Sequence, residues 1–321
     1  MHAIRRSFIP FWIPYGVLIV LLLTSVRPLD SKINAQELTS YRLRVPVDEV
    51  SLSFHVADRH GLAVNDLKLE ELSLLDNGSA PEKITVFEPL QDASIRAGIL
   101  LDTSESMREF LASNRAISIE YAQRVLRQKT DQAFVMEFGY LSKVIQPWTG
   151  EPAVLAAGVR RVGAGRELGG TAMFDTIYRA CFSEFGRIDR GVTGNFVLLF
   201  SDGEDNASHM SLKEAVDACQ RTNTAIYSFR SEPKGSFFSG GAKTLAELAA
   251  KTGGLVFHDN GSEAEIYEDL RVIEDDLRNQ YRLVYKPAGL KHDGTFHRIE
   301  LKAPERVDQM TIRSGYYAPM H

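Results

Sequence analysis

Between residues 95 and 279 the chain alternates short, almost wholly apolar runs with amphipathic segments of helix length, and that alternation leaves few folds open. The runs are Ala97-Gly98-Ile99-Leu100-Leu101, Ala133-Phe134-Val135-Met136-Glu137-Phe138, Phe196-Val197-Leu198-Leu199-Phe200, Ala225-Ile226-Tyr227-Ser228-Phe229 and Leu255-Val256-Phe257. Strands that are apolar on both faces belong in a mostly parallel sheet covered on both sides. Helical patterning fills the intervals at 107–129, 151–162, 172–186, 211–222, 242–252 and 262–280, with a start signal such as Ser211-x-x-Glu214 ahead of an apolar position. The predicted fold class is α/β, a doubly wound and mostly parallel sheet.

The flanks read differently. Before the α/β stretch, Val50-Ser51-Leu52-Ser53-Phe54-His55-Val56, Glu71-Leu72-Ser73-Leu74-Leu75 and Ile84-Thr85-Val86-Phe87 alternate with period two, separated by Asp58-Arg59-His60-Gly61 and Asp76-Asn77-Gly78, which carry turn chemistry. After it, Tyr281-Arg282-Leu283-Val284-Tyr285, His297-Arg298-Ile299-Glu300-Leu301 and Met310-Thr311-Ile312-Arg313 resume the strand pattern. Neither flank has enough strands for a stable sandwich, whereas the two together supply about six. The expected organisation is an N-terminal export segment at 1–36, a flanking β segment at 37–92, an α/β domain at 93–280, and a C-terminal β segment at 281–321 that completes a small sandwich-like domain.

Arg5 and Arg6 precede an uncharged apolar run from Ile9 to Val26. At roughly 18 residues this is an export signal at the lower edge of membrane-spanning length, so a cleaved signal peptide and a retained anchor are both open. Basic residues on its N-terminal side place the remainder across the membrane. Export predicts a periplasmic, cell-envelope or extracellular protein that meets the membrane only through this segment. With a net charge of −5 and no Lys/Arg cluster after Arg6, a nucleic-acid surface is not expected. The two cysteines, Cys181 and Cys219, fall in predicted helices. They read as small buried side chains, with a bridge in an oxidising compartment as the alternative.

Three loops, each placed after a strand or before a helix, offer small oxygen donors: Asp102-Thr103-Ser104-Glu105-Ser106, Gly169-Gly170-Thr171, and Ser201-Asp202-Gly203-Glu204-Asp205-Asn206. In open α/β sheets such loops converge at the carboxyl ends of the strands. Asp102, Ser104, Ser106, Thr171 and Asp202 are the candidate metal ligands. Hard oxygen donors without imidazole or thiolate favour Mg²⁺, with Mn²⁺ or Ca²⁺ as substitutes, and a set with few protein ligands leaves a coordination position open. Two aspartates offset the cation's charge and the hydroxyls add none, so aspartates acting partly through water would leave it under-neutralised, which points to a partner's Asp or Glu carboxylate as the outside ligand. Singly, each piece has a plainer reading: Ser106-x-x-Glu109 as a capping box, Thr171 as a helix cap, Asp202-Gly203 as a turn. Glu105, Glu204 and Asp205 read as solvated loop carboxylates. Arg160, Arg161 and Arg166 read either as lining the ligand's approach or as a solvated helix end.

Taken jointly and in order, these residues resemble the metal ion-dependent adhesion site of von Willebrand factor A domains. The resemblance covers about 95–279. In that family the Asp-x-Ser-x-Ser motif, a Thr and a later Asp hold the metal, and Asp102, Ser104, Ser106, Thr171 and Asp202 match all five. The phrases Gly-Gly-Thr-Ala-Met-Phe-Asp-Thr-Ile and Leu-Phe-Ser-Asp-Gly-Glu-Asp-Asn, with the closing Gly315-Tyr316-Tyr317, are similar to a bacterial exported subgroup, the VWFA-related domain proteins frequent in Acidobacteria. The resemblance implies a fold and a metal site more than a biological role; together with the donor chemistry above, the expected function is a metal-dependent protein-binding module, not an enzyme. The alternatives are an envelope component whose ion is structural and, from another class, a Mg²⁺-dependent hydrolase. The hydrolase lacks support, since Ser104 stands where an aspartyl phosphatase wants a second carboxylate and neither a nucleophile elbow nor a phosphate loop occurs.

Overall fold

The computed structural model describes residues 49–163, 170–187, 194–231, 240–259 and 261–320. The apolar N-terminal run, Arg166 and Gly169 lie outside the described residues. No helix among the described residues is long and apolar enough to cross a membrane.

A six-stranded sheet forms the centre of the α/β part. Its strands are β4 (Ile95–Asp102), β5 (Gln132–Phe138), β6 (Ser142–Thr149), β7 (Gly194–Ser201), β8 (Thr224–Arg230) and β9 (Val256–His258), in the order β6-β5-β4-β7-β8-β9. All neighbours are parallel except β6, which runs antiparallel to β5. Ile99, Leu101, Val135, Leu198 and Phe200 pack on one face with Tyr121, Leu155, Leu270 and Ile273. Their alternates Leu100, Phe134, Met136, Val197 and Leu199 pack on the other with Ile177, Val216 and Leu248. Each central strand thus buries both faces, which is why its sequence carries no polar alternation.

Helices α1 (Leu111–Arg124), α2 (Pro152–Arg161) and α6 (Glu263–Arg278) cover the first face, and α3 (Met173–Arg179), α4 (Leu212–Arg221) and α5 (Gly241–Thr252) the second. The capping box expected at Ser211 and Glu214 opens α4. That expected at Ser106 does not form: a 3-10 turn occupies Glu105–Met107 and α1 starts only at Leu111. The N-cap position of α1 falls on Phe110, which supplies no side-chain cap, while the hydroxyl of Ser106 is engaged elsewhere. Helix α3 widens into a π turn at Ala180–Glu184.

Cys181, in that turn, is bonded to Cys219 of α4. This corrects the expectation of two separate buried thiols. The burial itself is real, since both residues are fully enclosed, and enclosure between two packed helices is what brings the sulfurs together.

The flanks interleave. Strands β1 (Val50–Ala57), β3 (Lys83–Leu90), β10 (Gln280–Lys286) and β12 (Gln309–Ile312) make an antiparallel sheet ordered β12-β1-β10-β3, while β2 (Ser73–Asp76), β11 (Phe296–Lys302) and β13 (Gly315–Tyr317) make a second ordered β13-β11-β2. Both sheets therefore take strands from both ends of the chain. Leu52, Phe54, Tyr281, Leu283, Tyr285 and Ile299 share a third core. Inside it, the hydroxyls of Tyr285 and Tyr316 each donate to Asp76 Oδ2 at 2.8 Å.

Entry to and exit from the α/β part meet at one point. Arg278, ending α6, donates to Asp131 Oδ2 (2.7 Å), to the Val125 carbonyl (2.9 Å) and to the Ala93 carbonyl (3.1 Å). Asp131 also accepts from the Ile95 and Arg127 amides at 3.0 and 2.9 Å. This buried pair closes the amino end of the sheet.

Candidate metal centre

The strand order fixes where a site can form. From β4 the chain moves outward to β5 and β6, then returns to place β7 on the other side of β4, so the loops after β4 and β7 diverge in opposite directions and leave a crevice between them. Asp102 is the last residue of β4, and Asp202 directly follows β7. Both candidate carboxylates stand at that crevice because of topology.

Hydrogen bonds then join the loops. Ser106 Oγ donates to Asp202 Oδ2 at 2.7 Å, and Ser201 Oγ donates to Asp102 Oδ2 at 2.8 Å. The Ser104 amide donates to Asp102 Oδ1 at 2.9 Å, and the Ser104 and Ser106 hydroxyls lie 3.3 Å apart. The Glu204 amide donates to Asp202 Oδ1 at 3.0 Å. Four of the five candidates, Asp102, Ser104, Ser106 and Asp202, thus form one connected set of oxygens.

Thr171 comes to the same loops through its backbone. Its amide donates to Asn206 Oδ1 at 2.8 Å, and its carbonyl accepts from the Asn206 and Ala207 amides, each at 3.1 Å. Gly170 precedes it at φ +85°, where an added Cβ would lie 2.2 Å from Asn206 Oδ1; a side chain there would displace the amide that holds Thr171. Thr171 is buried and does not cap α3, whose N-cap is Ala172.

Two acidic residues read as solvated from sequence are structural clasps. Asp205 Oδ2 accepts from the Phe174 amide at 2.9 Å and from Ser208 Oγ at 2.6 Å, and Glu204 Oε1 accepts from the Gly241 amide at 3.0 Å. Each carboxylate sits at a helix start, where unpaired amides and the helix dipole favour negative charge. Asp175 returns the contact, accepting from the His209 and Met210 amides at 3.0 and 2.7 Å. Nothing local in the sequence marks them, because the amides they accept from are more than thirty residues away. Glu105 does remain at the surface, paired with Arg108. Arg161 donates to the Ile145 carbonyl and to Gln146 Oε1, so it fastens α2 to β6.

Burial pushes the Asp102 carboxyl up to about 6, aided by the neighbouring Asp202 charge and opposed by the hydroxyl and amide donors around it. The groups that act most on the Asp102 carboxyl are its own burial, the hydroxyl and amide donors and a second carboxylate, with no Lys, Arg or His among them. Two close carboxylates, one of them almost fully enclosed, beside three hydroxyl-bearing residues make a donor set that suits a small hard cation. No group of three or more His, Cys, Asp or Glu side chains fit for a metal occurs among the described residues, so a cation here would depend on hydroxyl oxygens. The residues present fit Mg²⁺.

No family model matches this chain, and no curated protein matches it in sequence. Among solved structures it is similar to the conserved hypothetical protein BatB from Bacteroides thetaiotaomicron, at 16% identity and a TM-score of 0.46, over 56% of this chain and 97% of that one. An aerotolerance-related membrane protein from Bacteroides fragilis gives 14% identity and a TM-score of 0.44, over 55% and 98%. Proximal thread matrix protein 1 of the mussel byssus, solved with a zinc-occupied MIDAS motif, gives 16% and 0.46 over 64% of this chain and 50% of its own.

Proposed function

We propose that this chain is an exported von Willebrand factor A-type binding module, in which Asp102, Ser104, Ser106, Thr171 and Asp202 hold one Mg²⁺. The observation that carries the reading is the hydrogen-bonded convergence of Asp102, Ser104, Ser106 and Asp202 at the switch point of the sheet. Alone, each motif has a local explanation. Together they do not, because Ser106 reaches across to Asp202 instead of capping α1 and Thr171 is not a cap.

A bound Mg²⁺ would supply an open coordination position to an Asp or Glu carboxylate of a protein partner. Ser201 and the Ser104 amide orient the Asp102 carboxylate, and Asn206 fixes the Thr171 backbone. The N-terminal run exports the chain to the periplasm, envelope or exterior. Catalysis is not part of the proposal.

Calorimetric titration of Mg²⁺ and Mn²⁺ in acetate-free buffer tests it, comparing the wild type with Asp102→Ala and Thr171→Ala. Saturable binding of one ion, lost in both variants, is expected. Absence of binding in the wild type overturns the reading.

A further inference from the structure

The metal loops are bordered by the short connection between β5 and β6, whose two large side chains are exposed. Strands β5 and β6 are joined through Gly139, Tyr140 and Leu141, with Tyr140 48% and Leu141 66% exposed. Among the described residues most large apolar side chains are enclosed, so two adjacent exposed ones at a loop tip call for an explanation. Their position supplies it.

This connection is tied to two of the three metal loops. The Gly139 carbonyl accepts from the Ala172 amide at 2.8 Å, next to Thr171. A Cβ placed on Gly139 would lie 3.9 Å from the Ser104 amide nitrogen and 3.9 Å from Thr103 Oγ1. Thr103 in turn donates through its amide (2.7 Å) and its hydroxyl (2.9 Å) to the Phe138 carbonyl. Tyr140 is the next residue along. On its far side the tip is braced by α3, since Arg179 donates to the Ser142 carbonyl at 2.5 Å and to Ser142 Oγ at 3.1 Å. Three residues beyond Arg179, Phe182 is 62% exposed and stacks on Tyr178. Tyr140 and Leu141 thus stand exposed beside the loops that carry Ser104 and Thr171.

We propose that Tyr140 and Leu141 form a ledge that is the second half of the partner-binding face. It seats a large apolar side chain carried within about three residues of the acidic residue that the metal takes, because three extended residues span about 10 Å. The inference rests on the metal-site reading above and names the partner's chemistry: an acidic residue with a near apolar neighbour on one exposed segment. The carboxylate would take the cation's open coordination position, and the apolar neighbour covers side chains that the fold itself leaves in water.

Immobilised peptides provide the test. One carries a single Glu in a Gly/Ser background, a second adds Phe two residues after the Glu, and a third keeps the Phe but replaces Glu by Gln. Binding of the full chain is measured by interferometry, in Mg²⁺ and in chelator, for the wild type and for Tyr140→Ser/Leu141→Ser. Both substituted positions are exposed, and an unchanged melting temperature checks folding.

The expected result is that Phe tightens Mg²⁺-dependent binding of the Glu peptide about tenfold, that the advantage disappears in the double variant, and that the Glu-only peptide binds both proteins equally. Equal affinity for both Glu peptides, or an advantage that survives the double substitution, overturns the ledge while leaving the metal reading intact. Equal binding of the Gln peptide also overturns it, because the ledge would then act without the metal. If neither Glu peptide binds in a Mg²⁺-dependent way, the carboxylate reading and the ledge fall together.

Discussion

The disulfide gives a prediction whose size follows from one distance along the chain. Cys181 and Cys219 close a loop with a sequence separation of 38. In the loop-entropy description, cross-linking residues that far apart restricts the unfolded chain by about 4 kcal/mol at 25 °C. Replacing both with alanine should therefore lower the urea-unfolding free energy by about that amount and the melting temperature by roughly 6 °C for a chain of 321 residues, at about 2.1 cal/mol/K of unfolding entropy per residue. Both sulfurs are enclosed between α3 and α4, so reductant should act on the native protein only as fast as it opens, and thiol titration should find none free before reduction. The double variant should nevertheless keep the wild-type Mg²⁺ affinity within about twofold, because α3 and α4 are also joined at the metal end. There the clasp consists of Asp205 on the Phe174 amide, Ser208 on the Asp175 amide, and Asp175 on the His209 and Met210 amides. A stability loss under about 1 kcal/mol would refute the bridge as a global staple. A tenfold loss of Mg²⁺ affinity at a temperature where the variant is folded would refute the assignment of site positioning to the hydrogen-bonded clasp.

Three further perturbations probe other parts of the argument. Asp131→Ala strands the Arg278 guanidinium, whose side chain is 3% exposed, and should cost about 3–5 kcal/mol in urea unfolding; a cost under about 1 kcal/mol would show that water reaches the site. Gly170→Ala places a side chain at φ +85° against Asn206 and should cost about 1–3 kcal/mol while weakening Mg²⁺ binding at least tenfold; calorimetry showing native affinity would remove Asn206 from the support of Thr171. The last concerns pH. Asp102 is held up to about 6, whereas a free carboxyl titrates near 4, so between these values the metal-free native state holds a proton that the unfolded chain has lost. Its stability should therefore rise by up to about 3 kcal/mol as the pH falls from 7 to 4 on account of this group, and saturating Mg²⁺ should abolish that gain by taking the proton's place. Identical pH slopes with and without Mg²⁺ would refute it.

Much of the fold was legible because the central strands bury both faces and so leave continuous apolar runs, as at Phe196–Phe200. Strand β6 escaped notice for the opposite reason. It is an irregular edge strand containing Pro147, with register shifts against β5, and edge strands tolerate residues that erase the strand signal. Strand β13 is three residues long, too short to show a period. At the site, the residue types and their order could be read along the chain, but the clasp could not. Glu204 and Asp205 look like any loop carboxylates until the fold brings the Gly241 and Phe174 amides to them. Likewise the choice between a cap and a cross-loop bond for Ser106 depends on Asp202, which is far away in sequence.

The arrangement of the flanks follows from the same topology that makes the site. The α/β part begins with a strand, β4, and ends with a helix, α6, and a helix that follows a parallel strand runs back against it. Its end therefore returns to the amino end of β4, where Arg278 bonds to the Ala93 carbonyl and Ala93 to the Arg278 carbonyl. The chain on either side is consequently adjacent, and Gln280 and Tyr281 pair at once with Leu90 and Pro89. Closing the flanking sheet then costs little beyond the ordering of a short junction, because the folded α/β part already holds the two ends together. Asp102 ends β4 at its other extremity, and a strand of 8 residues rises about 26 Å. The junction and the metal loops thus occupy opposite ends of one strand. The flanking sheets can complete their core through residues such as Leu52, Tyr281 and Leu283 without supplying a metal ligand, so their substitutions should register in stability and not in Mg²⁺ affinity.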